Sequence, residues 1–113
     1  MTISPDEYQS LAADTAPKSS LMITDRELML TMLAMGLAGE AGELVDDVKK
    51  VVFHRHDIDI VRVRLELGDV LWYVAMLCSA LHLSLSDVME INIEKLRARY
   101  PDGFSAEASR NRT

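Results

Sequence analysis

The sequence predicts an all-α fold, an antiparallel bundle of helices. Three observations carry that prediction. Apolar residues recur at helical spacing, and no segment of useful length alternates with strand period. Aromatic residues are 5 % of the chain, while Leu, Ala, Val and the 7 Met are abundant, a mix that suits helices better than a sandwich or barrel. Helix-capping residues stand before the apolar runs.

Taken in order, Ser4-Pro5-Asp6-Glu7 opens the first helical segment, 4–16. Ser4 caps, Pro5 suits the first helical position and Glu7 closes a capping box. Pro17 and two serines make 16–20 a loop. Thr24-Asp25-Arg26-Glu27 is a second capping box, followed by a helix over 25–52, about 40 Å long at 1.5 Å per residue. Residues 54–59 interrupt the apolar pattern as a turn, and a third helix spans 60–81. Ser84 with Asp87 caps a fourth helix that runs to about Arg99, where Pro101-Asp102-Gly103 stops it. The core helices thus occupy 25–100. The polar tail, 105–113, is expected to fray or drape over a partner. No repeat or linker divides the 113 residues, so a single domain is expected, with short loops joining antiparallel neighbours.

Composition excludes several classes. A 49 % hydrophobic content excludes a disordered chain. Acids outnumber bases 18 to 12, for a net charge of −6, which argues against binding polymeric nucleic acid. One cysteine, Cys78, cannot build a disulfide framework or a cysteine zinc site, and suits a reducing compartment. No secretory signal is visible, and the apolar runs 28–39 and 70–83 fall short of the roughly 20 residues of a membrane span. The expectation is a cytoplasmic protein without a membrane partner.

The informative feature is acid where a core should be. Val63, Leu67, Val70, Val74 and Leu77 form one stripe of the third helix, and Leu65, Trp72, Ala75 and Met76 make other faces apolar. A helix apolar nearly all round is expected to be central and buried. Glu66 and Asp69 sit in it at i,i+3, pointing the same way. The second helix repeats the pattern with Glu40 and Glu43, and Asp47 lies within about 20° of Glu40. Gly36, Gly39 and Gly42 accompany them, as a close helix approach would require. Two antiparallel helices then bring four carboxylates together, and hard divalent cations relieve the repulsion. Oxygen-only ligands favour Mg²⁺ or Mn²⁺ over zinc or copper, in a site that handles phosphates. The alternative reading is ordinary: solvated acid pairs, with Arg62 one turn before Glu66 pairing with it. A di-iron bundle is set aside, since the chain has no Glu-x-x-His. Met29, Met32, Met35, Met76 and Met89 read as gap-filling core, and Trp72 as core or interface. Helices two and three carry more apolar surface than one small chain covers, so homo-oligomerisation is expected to complete the bundle.

Gly39-Glu40-Ala41-Gly42-Glu43-Leu44 and Glu66-Leu67-Gly68-Asp69-Val70-Leu71-Trp72-Tyr73 resemble the Glu-x-x-Glu … Glu-x-x-Asp signature of MazG-type nucleotide pyrophosphohydrolases, of the all-α NTP pyrophosphohydrolase superfamily. Asn92-Ile93-Glu94-Lys95-Leu96 and Arg99-Tyr100-Pro101 resemble that family's closing helix, and the resemblance covers about residues 28–104. It implies Mg²⁺-dependent hydrolysis of a nucleoside triphosphate to monophosphate and pyrophosphate, often to remove surplus or non-standard (deoxy)nucleotides, by dimers or tetramers. By motif, Glu40, Glu43, Glu66 and Asp69 would be the metal ligands. Gly39 stands where some members have a further Glu, so Glu40 or Glu43 is left as the catalytic base. Asn92, Lys95 and Arg99 match a segment that touches phosphates or the nucleotide. Tyr73, one turn after Asp69, and Lys50 and His54, along the face of the first acid pair, are further substrate-binding candidates. Two alternatives stay open: phosphoribosyl-ATP pyrophosphohydrolase, and a non-catalytic metal- or nucleotide-binding helical module.

Overall fold

The computed structural model describes residues 2–17 and 24–111, which form five helices and no strand. These are α1 (Pro5–Asp14), α2 (Arg26–Phe53), α3 (Ile60–Ala80), α4 (Leu85–Arg99) and α5 (Ala106–Arg110). Part of the expected 16–20 loop, residues 18–20, and the last two tail residues lie outside the described residues.

Each helix begins where a side chain satisfies an orphaned N–H. The Glu7 N–H donates to Ser4 Oγ at 3.1 Å, and the Asp87 N–H to Ser84 Oγ at 3.3 Å, as the capping signals predict. The second cap is shifted by one: Asp25, not Thr24, accepts from the Leu28 N–H at 3.1 Å. Asp59 caps α3 through the Arg62 N–H at 3.1 Å. The tail is more ordered than expected. Ser105 accepts from the Ala108 N–H at 3.1 Å and starts α5.

α2 and α3 form the main packed pair, joined by the 54–59 turn, where Arg55 takes a left-handed φ of 57°. α1 packs on α3 and on the start of α4. α4 leaves α3 at a bend of 104°, with His82 left-handed at φ 57°. The central cluster is small: Ala12, Ala75, Cys78 and Leu85, flanked by Tyr8, Trp72, Val74 and Val88. Gln9 locks α1 to this corner. Its amide donates to Ser79 Oγ (3.1 Å) and the Leu83 carbonyl (2.9 Å) and accepts from the Leu85 N–H (2.8 Å). Ser84 and Ser86 hydroxyls donate to Asp6 and hold its carboxyl below the ordinary aspartate range.

Three expectations need correction. α3 is not buried all round within one chain: only Glu66, Ala75 and Cys78 are buried, and Leu65 stays 67 % exposed. Met32, Met35 and Met89 face outward rather than filling a core. Of the three glycines, only Gly36 marks a close approach; a Cβ there overlaps the Tyr73 ring, whereas Gly39 and Gly42 have nothing within 4 Å. The radius of gyration, 17.2 Å, exceeds the roughly 13 Å expected of a compact chain this long. One 18-residue window of α2 reaches a mean hydropathy of 1.4, enough by length and composition for a bilayer crossing, with 6 % of it buried.

Gly36→Ala is expected to lower the unfolding free energy by about 1–3 kcal/mol, because the Tyr73 ring must move. Gly39→Ala is expected to raise it by up to about 1 kcal/mol through helix propensity. Urea unfolding of both variants checks the contrast.

Candidate metal centre

Helical spacing puts Glu40 and Glu43 on one face of α2, and Glu66 and Asp69 on one face of α3. Packing of α2 against α3 then sorts the acids into two groups. In the first, Glu43 lies within hydrogen-bonding reach of Glu40, and Asp69 across the helix pair adds its field. Burial, then the Glu43 and Asp69 charges, push the Glu40 carboxyl above the ordinary glutamate range. Glu43 and Asp69 make no ion pair among the described residues.

The second group holds Glu66, Asp47 and Arg62. Arg62 Nε donates to Asp47 Oδ2 at 3.0 Å and to Glu66 Oε1 at 3.2 Å. Glu66 is the only buried charged residue among those described, at 6 % exposure. Its contact with Asp47, then its burial, raise its proton affinity, against the opposing pull of Arg62. Asp47 is held low, first by Glu66 and then by Arg62. The ordinary pairing of Arg62 with Glu66 is thus present, but of the four motif acids only Glu66 meets an arginine among the described residues.

Two atoms are left over. Glu40 Oε2 and Glu66 Oε2 are sealed from solvent and meet no hydrogen-bond donor among the described residues. An orphaned carboxylate oxygen is costly unless a donor or cation meets it. The donor set is all oxygen, which fits a hard cation in chemistry. It is not a ready-made cage: among the described residues no three His, Cys, Asp or Glu side chains converge as a metal-holding group.

A cleft of about 280 Å³ opens at the first group, lined by Thr15, Glu40, Asp69, Trp72 and Tyr73. Tyr73 therefore lies with the acids, its ring packed on Gly36 and edge-on to Trp72 at 4.9 Å. Trp72 is both core neighbour and cleft wall. Lys50 is elsewhere. Its Nζ pairs with Asp46 at 3.1 Å and it lines a separate cleft of about 220 Å³ at the turn, beside Asp47, His56 and Arg62. His54 ends α2 and faces His56, with ring centroids 6.2 Å apart. Asn92 and Lys95 are exposed on α4, and Arg99 lies over the Tyr100 ring at 5.8 Å in a surface cleft with Pro101 and Phe104. One chain does not gather these three around the acid cleft. Sequence reasoning missed Thr15 altogether. No spacing rule links it to Trp72, 57 positions away.

Comparison with known proteins bears on the same residues. The family model for the MazG nucleotide pyrophosphohydrolase domain matches residues 29–104. The Gene 37 protein of Mycobacterium phage L5 is 38 % identical over 111 residues, covering 95 % of this chain and 97 % of that relative. No solved structure matches the chain. The matched span carries both acid pairs and most of the helical framework around them, so the chain belongs to the MazG nucleotide pyrophosphohydrolase domain family.

Proposed function

We propose that the chain is a Mg²⁺-dependent nucleoside triphosphate pyrophosphohydrolase that cleaves (d)NTP to (d)NMP and pyrophosphate, clearing unwanted nucleotides from the cytoplasmic pool. The observation that carries this reading is the pair of sealed oxygens, Glu40 Oε2 and Glu66 Oε2, that no donor among the described residues meets, on two packed helices. Glu40, Glu43, Glu66 and Asp69 would hold the cation, and Mn²⁺ is expected to substitute. When bound, the ion neutralises phosphate charge and lowers the pKa of the attacking water. Water oxygen then bonds to the α-phosphorus, the bond to the bridging oxygen breaks and pyrophosphate leaves with that oxygen. The water proton passes to Glu40 or Glu43. Tyr73 stands in the cleft for a phosphate or sugar oxygen. Asn92, Lys95 and Arg99 belong to the proposal as phosphate contacts that need α4 or a second copy to close on the cleft.

A homodimer or homotetramer is part of this reading. Met35 (68 %), Val45 (65 %) and Leu65 (67 %) are exposed on the two helices that carry the acids. Apolar faces of this extent suit a second copy of the same chain. Light scattering without detergent is expected to give a dimer or tetramer mass at micromolar concentration. A clean monomer, or recovery only with lipid or detergent, overturns that part.

The activity is tested by a pyrophosphate-release screen over canonical and modified (d)NTPs and phosphoribosyl-ATP, with Mg²⁺ or Mn²⁺. Release is expected from at least one (d)NTP, and Glu43→Gln or Asp69→Asn is expected to cut it at least about a hundredfold. One observation favours the non-catalytic module instead, the lack of three converged acids among the described residues. Mg²⁺-dependent nucleotide binding without release from any substrate would establish that alternative.

Stability supplies an independent check on the ligands. Glu40 and Glu66 both hold a proton more tightly folded than unfolded. Stability from that source is fully present below the unfolded glutamate pKa of 4.5 and is lost as pH rises through the raised values. The metal-free midpoint is therefore expected to fall as pH rises from below the ordinary glutamate range toward neutrality. Mg²⁺ is expected to restore it at pH 7, and Glu40→Gln to raise the metal-free midpoint while blunting the Mg²⁺ effect. Thermal scans with Mg²⁺ and with chelator decide this.

A further inference from the structure

Arg62 shares one N–H between two acids: its Nε donates to Asp47 Oδ2 at 3.0 Å and to Glu66 Oε1 at 3.2 Å. The contact is uneven in two ways. The Arg62 side chain is 58 % exposed, whereas those of Asp47 and Glu66 are 13 % and 7 % exposed. Only one oxygen of Glu66 is used: Oε2 is sealed from solvent, and no donor among the described residues meets it.

Stability alone gives a poor account of this arrangement. An ion pair to a largely solvated arginine contributes little. Base first and acid four residues later is the weaker of the two orders along a helix. A pair that existed to satisfy Glu66 would engage both carboxylate oxygens, as the arginine fork is shaped to do. Arg62 gives Glu66 a single N–H, and the second oxygen stays buried and unmet.

Arg62 is itself held from two sides. Its backbone N–H donates to Asp59 Oδ1 at 3.1 Å, in the cap that starts α3, and Asp47 anchors its side chain from α2. Glu66 follows one turn along α3. A carboxylate with one oxygen fixed can offer only the other to a ligand. Hydrogen bonds of this kind, made to the back of a metal ligand, orient it before the ion arrives.

We propose that Arg62 is a positioning residue for the cation site: by holding Glu66 Oε1 it fixes the carboxylate so that Oε2 is the oxygen that meets the metal ion. The inference rests on the hydrolase reading and deepens it. Ion pair and metal ligand are then not rival roles for Glu66, because they use different oxygens. Asp47 anchors Arg62 and acts on the site only through it.

The test measures cation binding by the full chain, with Mg²⁺ alone and Mn²⁺ alone as calorimetric probes and thermal scans alongside. Arg62→Met and Asp47→Ala both break the tie between α2 and α3, so both are expected to lower the thermal midpoint. Only Arg62→Met releases Glu66 Oε1. It is expected to weaken Mg²⁺ binding about tenfold or more, while Asp47→Ala and Arg62→Lys stay within about threefold of the unaltered chain. Lysine serves here because a single N–H, not a two-pronged fork, reaches Glu66. Unchanged Mg²⁺ binding by Arg62→Met overturns the inference, and tighter binding overturns it by showing that Arg62 competes with the ion. Equal losses in Arg62→Met and Asp47→Ala overturn it too, since they mark a purely structural tie. So does an Arg62→Lys loss as large as that of Arg62→Met. Should Arg62→Met fail to fold, NMR of the unaltered chain decides: the Arg62 Nε–H is expected to stay protected from water exchange at saturating Mg²⁺, and its release overturns the inference. Each of these outcomes leaves the hydrolase reading standing. If the unaltered chain binds neither ion, the cation part of that reading falls, and this inference with it.

Discussion

Like charges at i,i+3 on two packed helices set the terms for this molecule. An α-helix places residues three apart on one face, so each acid pair is a local necessity. Bringing two such faces together in a partly desolvated groove costs energy that packing alone does not return. The fold answers at one end only. Arg62 spans Asp47 and Glu66 and offsets one of their two charges. At the other end Glu40, Glu43 and Asp69 crowd without a basic partner among the described residues. Carboxylates crowded beside a cleft repel one another, and the raised proton affinity of Glu40 is the mark of that repulsion and of its burial.

The same two helices contribute little to the core. The α2–α3 pair is a scaffold for the acids first and a core second. Its buried apolar content is small, and the central cluster lies instead where α1, α3 and the start of α4 meet. The result is an open chain, with a radius of gyration of 17.2 Å and long apolar faces on the same helices that carry the acids. The acid rows and the exposed apolar faces thus share the same two helices.

α1 shows how a peripheral helix joins the site. Its own length gives it little intrinsic stability. Gln9, which donates to Leu83 and accepts from Leu85, and Asp6, which accepts from Ser84, hold it to the α3–α4 corner, and its C-terminal end then brings Thr15 to the acid cleft. Tertiary anchoring at one end thus places the Thr15 hydroxyl beside Trp72 at the other.

The helices were legible in the residues because helix formation is local. Ser4 and Ser84 cap as read, and the 54–59 break and the Pro101–Gly103 stop fall where read. The acid pairs were legible for the same reason, since i,i+3 spacing is a property of one helix. Long-range features were not. That Gly36 alone of three glycines meets a neighbour depends on where the Tyr73 ring lands. That Asp47 sits with Glu66 and Arg62, apart from Glu40, depends on the register between α2 and α3. The pairing of Thr15 with Trp72 depends on how α1 docks. Outward-facing methionines and leucines misled because hydrophobic periodicity reports that a face wants cover, not which molecule supplies it. The chain's local chemistry therefore dictated its elements and the identity of its acids; the docking of those elements, a balance of many distant contacts, decided which acids share a field and what stands beside them.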